Sequence, residues 1–268
     1  MTSKQLEDDG FVTVEKRFKY MSIGGAGNNS KRSKNKKKNR YVFKDSIDYT
    51  LNDLEPILAQ RREALGDSQF YKDLLDILEQ QLIPTQPQEL ICYGIGSMQH
   101  SKNAQYQFIL ALLLRDMLKS VEKVSIYDPV MTELDKELSK SYNIDVIETN
   151  EDGKRKVSRP TLFYMPHCGR GLYSNTLSAN WDKESLPNVI MIANRFDMYV
   201  GTQLERDLRR ECPYLIPAVE LVDCTSFPKE FDDNKVFNDL SVITFPKTSV
   251  ENVKDSYWDD VPVEKVEE

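Results

Sequence analysis

The chain has 268 residues, 40% of them hydrophobic and 29% charged, with a formal net charge of −7. That is apolar material enough for one large core, since single cores stop growing near roughly 250–300 residues. No stretch approaches the roughly 20 apolar residues needed to cross a bilayer, and residues 1–9 are polar and acidic, without the apolar centre of a secretion signal.

These features lead to the expectation of a soluble, cytoplasmic protein. The four cysteines, Cys92, Cys168, Cys212 and Cys224, stand singly and without CxxC spacing, so they read as free thiols and no metal site is expected. The charge is uneven. The run KRSKNKKKNR, from Lys31 to Arg40, carries seven basic residues and no acidic one. Without it, 29 basic residues face 43 acidic ones, a balance of −14. Nucleic acid is therefore an unfavoured partner for the folded part. Contact with a phosphate backbone, or nuclear import, would have to run through the basic stretch.

Residues 1–40 read as a disordered basic tail, with 11–14 as a short candidate edge strand. From 46 to 82 the apolar spacing is helical and broken at Gly66, so residues 41–88 form an N-terminal helical cap that stops before Pro84. The pattern then alternates. Strands are expected at 90–93, 124–127, 144–147, 161–165 and 189–193, and helices at 103–120, 132–142, 172–181 and 203–210. A polar loop around Asp152-Gly153 fills 150–159, and strands at 215–222 and 242–245 complete the sheet. This is an α/β chain with a mostly parallel, doubly wound, Rossmann-like sheet over 89–248, followed by a loose acidic tail over 249–268.

In such a sheet the strands end on one edge, where ligands bind at the topological switch point. That rule gathers Gly94, Gly96 and Ser97 after the first strand, Asp128 after the second, His167 and Cys168 after the fourth, and Asn194 after the fifth. Glycines there let backbone N–H groups approach an anion at a helix N-terminus, and an acidic residue ending the second strand is where nucleotide folds grip ribose. The third glycine of GxGxxG is absent, because Gln99 stands in its place. A tight turn at 94–96 and an Asp128 helix cap account for the same residues without a ligand. His167, in a rigid Pro166-His167 turn, could act as acid, base or ligand, or simply satisfy loop carbonyls. No nucleophile has an evident base beside it.

Four segments together resemble the sensitivity-to-red-light-reduced family: CYGIGS at 92–97, YDPV at 127–130, PTLFYMPHC at 160–168, and LYSN at 172–175 with Asn180-Trp181. The resemblance implies a Rossmann-like domain with a regulatory role. The family is linked to circadian clock input and light signalling, to control of haem biosynthesis and, in one branch, to microtubule-related phenotypes. It implies no established catalytic activity and names no cofactor. Its signature falls on Gly94, Gly96, Ser97, Asp128, Pro129, His167, Cys168, Asn175, Asn180 and Trp181. Protein partners are expected, with a small nucleoside-like or anionic ligand at the edge. The alternative is a nucleoside-cofactor-dependent transferase resembling methyltransferases.

The basic run yields the first test. Removing residues 1–40 should leave the melting temperature nearly unchanged while altering where a fluorescent fusion accumulates. A large thermal loss would show that this segment packs on the domain.

Overall fold

The structure, a computed structural model, describes residues 49–229, 231, 236–259 and 261. The expected tail over 1–40, with its candidate strand at 11–14, lies outside the described residues.

Two helices come first, α1 (Leu51–Gly66) and α2 (Gln69–Leu82). At the start of α1, Thr50 donates both its N–H and its hydroxyl to the Asp53 carboxylate. The Ser68 hydroxyl caps α2 by accepting from Tyr71 N–H. Their apolar stripes, Leu54–Leu58 and Phe70–Leu74–Leu78–Leu82, repeat every fourth residue and are fully or almost fully buried.

Then β1 (Glu89–Tyr93), α3 (Lys102–Met117), β2 (Lys123–Tyr127), α4 (Glu133–Ser141) and β3 (Asp145–Val146) build one half of the sheet. The other half is β4 (Thr161–Tyr164), α5 (Arg170–Ala179), β5 (Val189–Asn194), α6 (Phe196–Thr202), α7 (Glu205–Glu211), α8 (Leu215–Ala218), β6 (Asp223–Ser226) and β7 (Leu240–Thr244). Helix α9 (Lys247–Glu251) and a short 3₁₀ turn (Asp255–Trp258) follow.

The strand order is β3-β2-β1-β4-β5-β7-β6. The first five strands are parallel, as expected, with β1 between β2 and β4. Strand β7 runs antiparallel to both of its neighbours. Strand alternation divides the interior in two. Leu90, Cys92, Val124, Ile126, Leu162 and Tyr164 face α1–α4, while Ile91, Tyr93, Phe163 and Met191 face α5 and the later helices. Helix α3 is buried on every side from Ala104 to Leu112, because α1 and α2 cover its outer face. The buried amides of Gln105 and Gln107 are therefore paired with carbonyls, of Met98 (3.0 Å) and Val236 (3.3 Å).

Three expectations are corrected. Residues 215–222 are not a strand: Leu215, Ala218 and Leu221 are buried at helical spacing, and Pro217 has no N–H for a ladder. The strand lies at 223–226 instead, with largely exposed polar side chains and no apolar signal. Helix α6 was not anticipated. The tail after 249 is also not loose where it is described. Val250 is fully buried, the Tyr257 ring stacks on Trp181 at 6.0 Å, and Trp181 Nε1–H donates to the Tyr257 carbonyl at 3.3 Å.

Because α2 and the sheet share one core, Leu74→Ala should cost about 2–5 kcal/mol of unfolding free energy while keeping a single urea transition. A separate early transition in that variant would show that the helices fold as an independent cap.

Candidate functional site at the carboxyl edge of the sheet

The turn after β1 approaches the turn after β4 so closely that a side chain on Gly94 would have to displace the Cys168 thiol. Gly94 has φ +74° and Gly96 φ +84°, the region glycine enters at no steric cost. A Cβ on Gly94 would stand 2.4 Å from Cys168 Sγ. Cys168 reaches that point because His167 adopts a left-handed conformation, φ +54°, and folds the chain back after Pro166. The thiol donates to the Tyr93 carbonyl at 3.4 Å, and burial pushes its pKa up, with the Asp128 charge adding to the effect. A thiol so disposed is a packing group, not a nucleophile.

Two carboxyl groups clip the glycine loop to the loop after β2. Asp128 accepts from Gly96 N–H (2.9 Å) and from Val130 N–H (2.8 Å). Asp135, wholly buried, accepts from Gln99 N–H (2.9 Å) and from Thr132 N–H (2.9 Å). Burial raises the Asp128 pKa, the two backbone donors oppose that rise, and the nearby Asp135 charge adds to it. The loop does not open directly into a helix. Helix α3 begins only at Lys102, where the Ser101 hydroxyl accepts from Ala104 N–H at 3.2 Å. The expectation that the glycine turn presents a helix N-terminus is corrected accordingly.

His167 Nε2 hydrogen-bonds the Val236 carbonyl at 2.9 Å, the carbonyl that Gln107 also reaches. Burial lowers its pKa, partly opposed by that bond and by the Asp239 charge, so the ring is neutral near pH 7 with its Nε2 proton donated. Asn194 is buried and receives the Tyr173 hydroxyl at 3.0 Å. Asn175 lies apart from the turn: its amide donates to the Asp152 carbonyl at 2.9 Å. Around it, Thr176 binds the Gly153 carbonyl, and Asn180 binds the Arg155 carbonyl and Val157 N–H. These residues of α5 and its end fasten the segment that crosses from β3 to β4.

Of the sequence-predicted residues, the structure brings Gly94, Gly96, Asp128 and Cys168 together. It turns His167 toward Val236, Asn194 toward Tyr173 and Asn175 toward the crossing segment. His100, the other histidine past a strand end, is exposed. Two residues escaped the sequence reading. Asp135 is legible as the fourth residue of the capping box Thr132-x-x-Asp135. Tyr173, whose hydroxyl also lies 3.1 Å from the Met165 carbonyl, stands inside the LYSN segment. The buried hydroxyls of Ser97, in the loop after β1, and of Tyr164, the last residue of β4, have no hydrogen-bond partner among the described residues.

Fold and edge together define a Rossmann-like α/β protein of doubly wound type. The SRR1 domain family model matches residues 74–244, and the chain belongs to that family. An SRR1-like protein of Drosophila melanogaster is 30% identical over 233 residues, covering 85% of this chain and 81% of that protein. The Arabidopsis thaliana protein SENSITIVITY TO RED LIGHT REDUCED 1 is 34% identical over 112 residues, 41% of each chain. Among solved structures, the SAH-bound methyltransferase PaMTH1 of Podospora anserina aligns with TM-score 0.39 and 12% identity, over 91% of this chain and 100% of that one.

Two outcomes are expected. Gly94→Ala should destabilise by about 2–4 kcal/mol, combining overpacking with a left-handed backbone. Adding Cys168→Ala should recover the overpacking part and leave about 1–2 kcal/mol, as read from urea melts of the double-mutant cycle. For His167 the folded pKa lies below the unfolded one. Its contribution is therefore present above the unfolded value near 6.5 and is lost as pH falls through the folded value. Asp128 has the opposite sign, its contribution being lost as pH rises through its raised value. Comparison of the parent with His167→Gln in melts at pH 7.5 and 5.5 isolates the histidine, and the parent should lose more stability on acidification.

Proposed function

We propose that this protein is a regulatory scaffold that acts through protein partners, with a carboxyl edge that serves the fold rather than a reaction. The observation that carries this reading is that the chain's own groups occupy the features a nucleotide binder would offer its ligand. Cys168 Sγ fills the space beside Gly94, and Asp128 and Asp135 take the N–H groups of Gly96 and Gln99. His167 is committed to the Val236 carbonyl and burial lowers its pKa, while the Asp128 carboxyl is committed to two backbone N–H groups. The roles linked to the family, in clock and light signalling, haem biosynthesis and microtubule-related processes, are roles of regulators and fit this reading. The cytoplasm is its place of action, with nuclear entry through the Lys31–Arg40 run.

A second reading, a nucleoside-cofactor-dependent transferase, has one observation in its favour. The buried hydroxyls of Ser97, in the loop after β1, and Tyr164, the last residue of β4, have no hydrogen-bond partner among the described residues, and these two strands flank the switch point. A thermal-shift screen against nucleosides, S-adenosyl compounds, haem and divalent metals separates the two. The scaffold reading expects no saturable rise, whereas a ligand at 100 times its Kd would add about 2.7 kcal/mol. In a strain lacking the gene, complementation by Ser97→Ala and Asp128→Asn should follow only their folded fraction, as measured by circular dichroism. Loss of function in a fully folded Ser97→Ala protein would favour the transferase.

A further inference from the structure

At the outer end of the sheet lies a groove of about 400 Å³, lined by Lys123, Ser125, Lys140, Asp145, Ile147 and Arg155. Strand alternation sets its floor. Val124 and Ile126 of β2 point into the core with α3 and α4, so Lys123 and Ser125 face the opposite side. Ser125 is in register with Ile91 on one side and Asp145 on the other. That face is covered by α5 over β4, but no helix connects β3 to β4; Ser125 at the bottom of the groove is buried, and the groove opens to solvent at Lys123, Lys140 and Asp145.

Three cations from three separate elements meet around this floor: Lys123 on β2, Lys140 in the last turn of α4 and Arg155 on the crossing segment. Their compensation is incomplete. The Arg155 guanidinium is held by Glu151 at 2.9 and 2.5 Å, while Lys123 reaches Asp145 only at 3.5 Å, with both side chains more than half exposed. Lys140 enters no ion pair among the described residues. In a chain that carries −14 outside its basic run, a groove with three cations and one lining carboxylate runs against the average.

We propose that this groove binds a phosphate monoester dianion, with the ammonium groups of Lys123 and Lys140 and the Ser125 hydroxyl as donors and Arg155 at the rim. The charge of the ligand follows from Asp145. An exposed ion pair is worth only about 0.2–1 kcal/mol, so a dianion held by charge-assisted bonds can draw Lys123 away from it. A singly charged carboxylate has less to offer against the same competitor. The proposal is independent of the scaffold reading, because no residue of the groove belongs to the carboxyl-edge turn.

The test is ¹⁵N NMR titration of the full chain with inorganic phosphate, with a phosphoserine peptide and with the same peptide unphosphorylated, at constant ionic strength. Saturable shifts are expected at the amides of Ser125, Val146 and Ile147, with the unphosphorylated peptide inert. Lys140→Gln, whose side chain is exposed, should keep the melting temperature and raise the phosphate Kd roughly tenfold. Tighter binding of the phosphopeptide than of phosphate would mark a phosphorylated partner as the source, and the reverse order a small metabolite. Shifts that spread over surface lysines without saturating, unchanged affinity in Lys140→Gln, or acetate binding as tightly as phosphate would each overturn the proposal.

Discussion

The distance between Gly94 and Cys168 governs the arrangement of the whole carboxyl edge. A Cβ at position 94 would overlap the Cys168 thiol, so the observed packing of the two turns needs a residue without a side chain at 94 or a displaced thiol at 168. In a close-packed interior such an overlap forces the thiol or the backbone to shift. The contact needs His167 in its left-handed conformation to aim Cys168, and it needs Gly94 at positive φ to leave β1 at the matching angle. With the two turns in contact, the loop of residues 94–101 lies beside the connection after β2. Its remaining backbone donors at Gly96 and Gln99 are then within reach of Asp128 and Asp135 from the neighbouring connection.

The same logic accounts for signature residues far from the turn. Asn175, Thr176 and Asn180 all spend their polar groups on the backbone of residues 152–157, the one crossing between parallel strands that lacks a helix. A segment without regular structure must find partners for the N–H and C=O groups it turns inward, and short polar side chains on an adjacent helix provide them. Trp181 does the corresponding work for the chain end, where it gathers Tyr257 and Trp258.

Much of the fold was legible because its signals are local. Four parallel strands announce themselves as short apolar runs, and the capped helices between them carry Ser101, Thr132 or Glu133 at their starts. The failures are equally local. Residues 223–226 form a strand only because β7 offers them a ladder, and their exposed polar side chains carry no pattern of their own. Residues 215–222 are apolar enough for a strand, but their burial follows a helical period that Pro217 made hard to read. The carboxyl ends of the parallel strands could be placed on one edge, since strand ends are set by topology. Its chemistry was not legible, because the sequence cannot say whether a glycine N–H waits for a ligand or for an aspartate 32 positions away.

That last ambiguity narrows once the geometry is known. A phosphate approaching the glycine loop would meet the carboxyl groups of Asp128 and Asp135 on the N–H groups it needs, in a setting where burial already raises the Asp128 pKa. Adding a further negative charge there is opposed by two groups that cannot leave without unclipping the loop. The turn therefore presents hydrogen-bond acceptors, which match hydroxyl or amine donors and oppose phosphate oxygens. Anion binding in this protein belongs instead where cations outnumber carboxylates, at the outer end of the sheet beside Lys123 and Lys140.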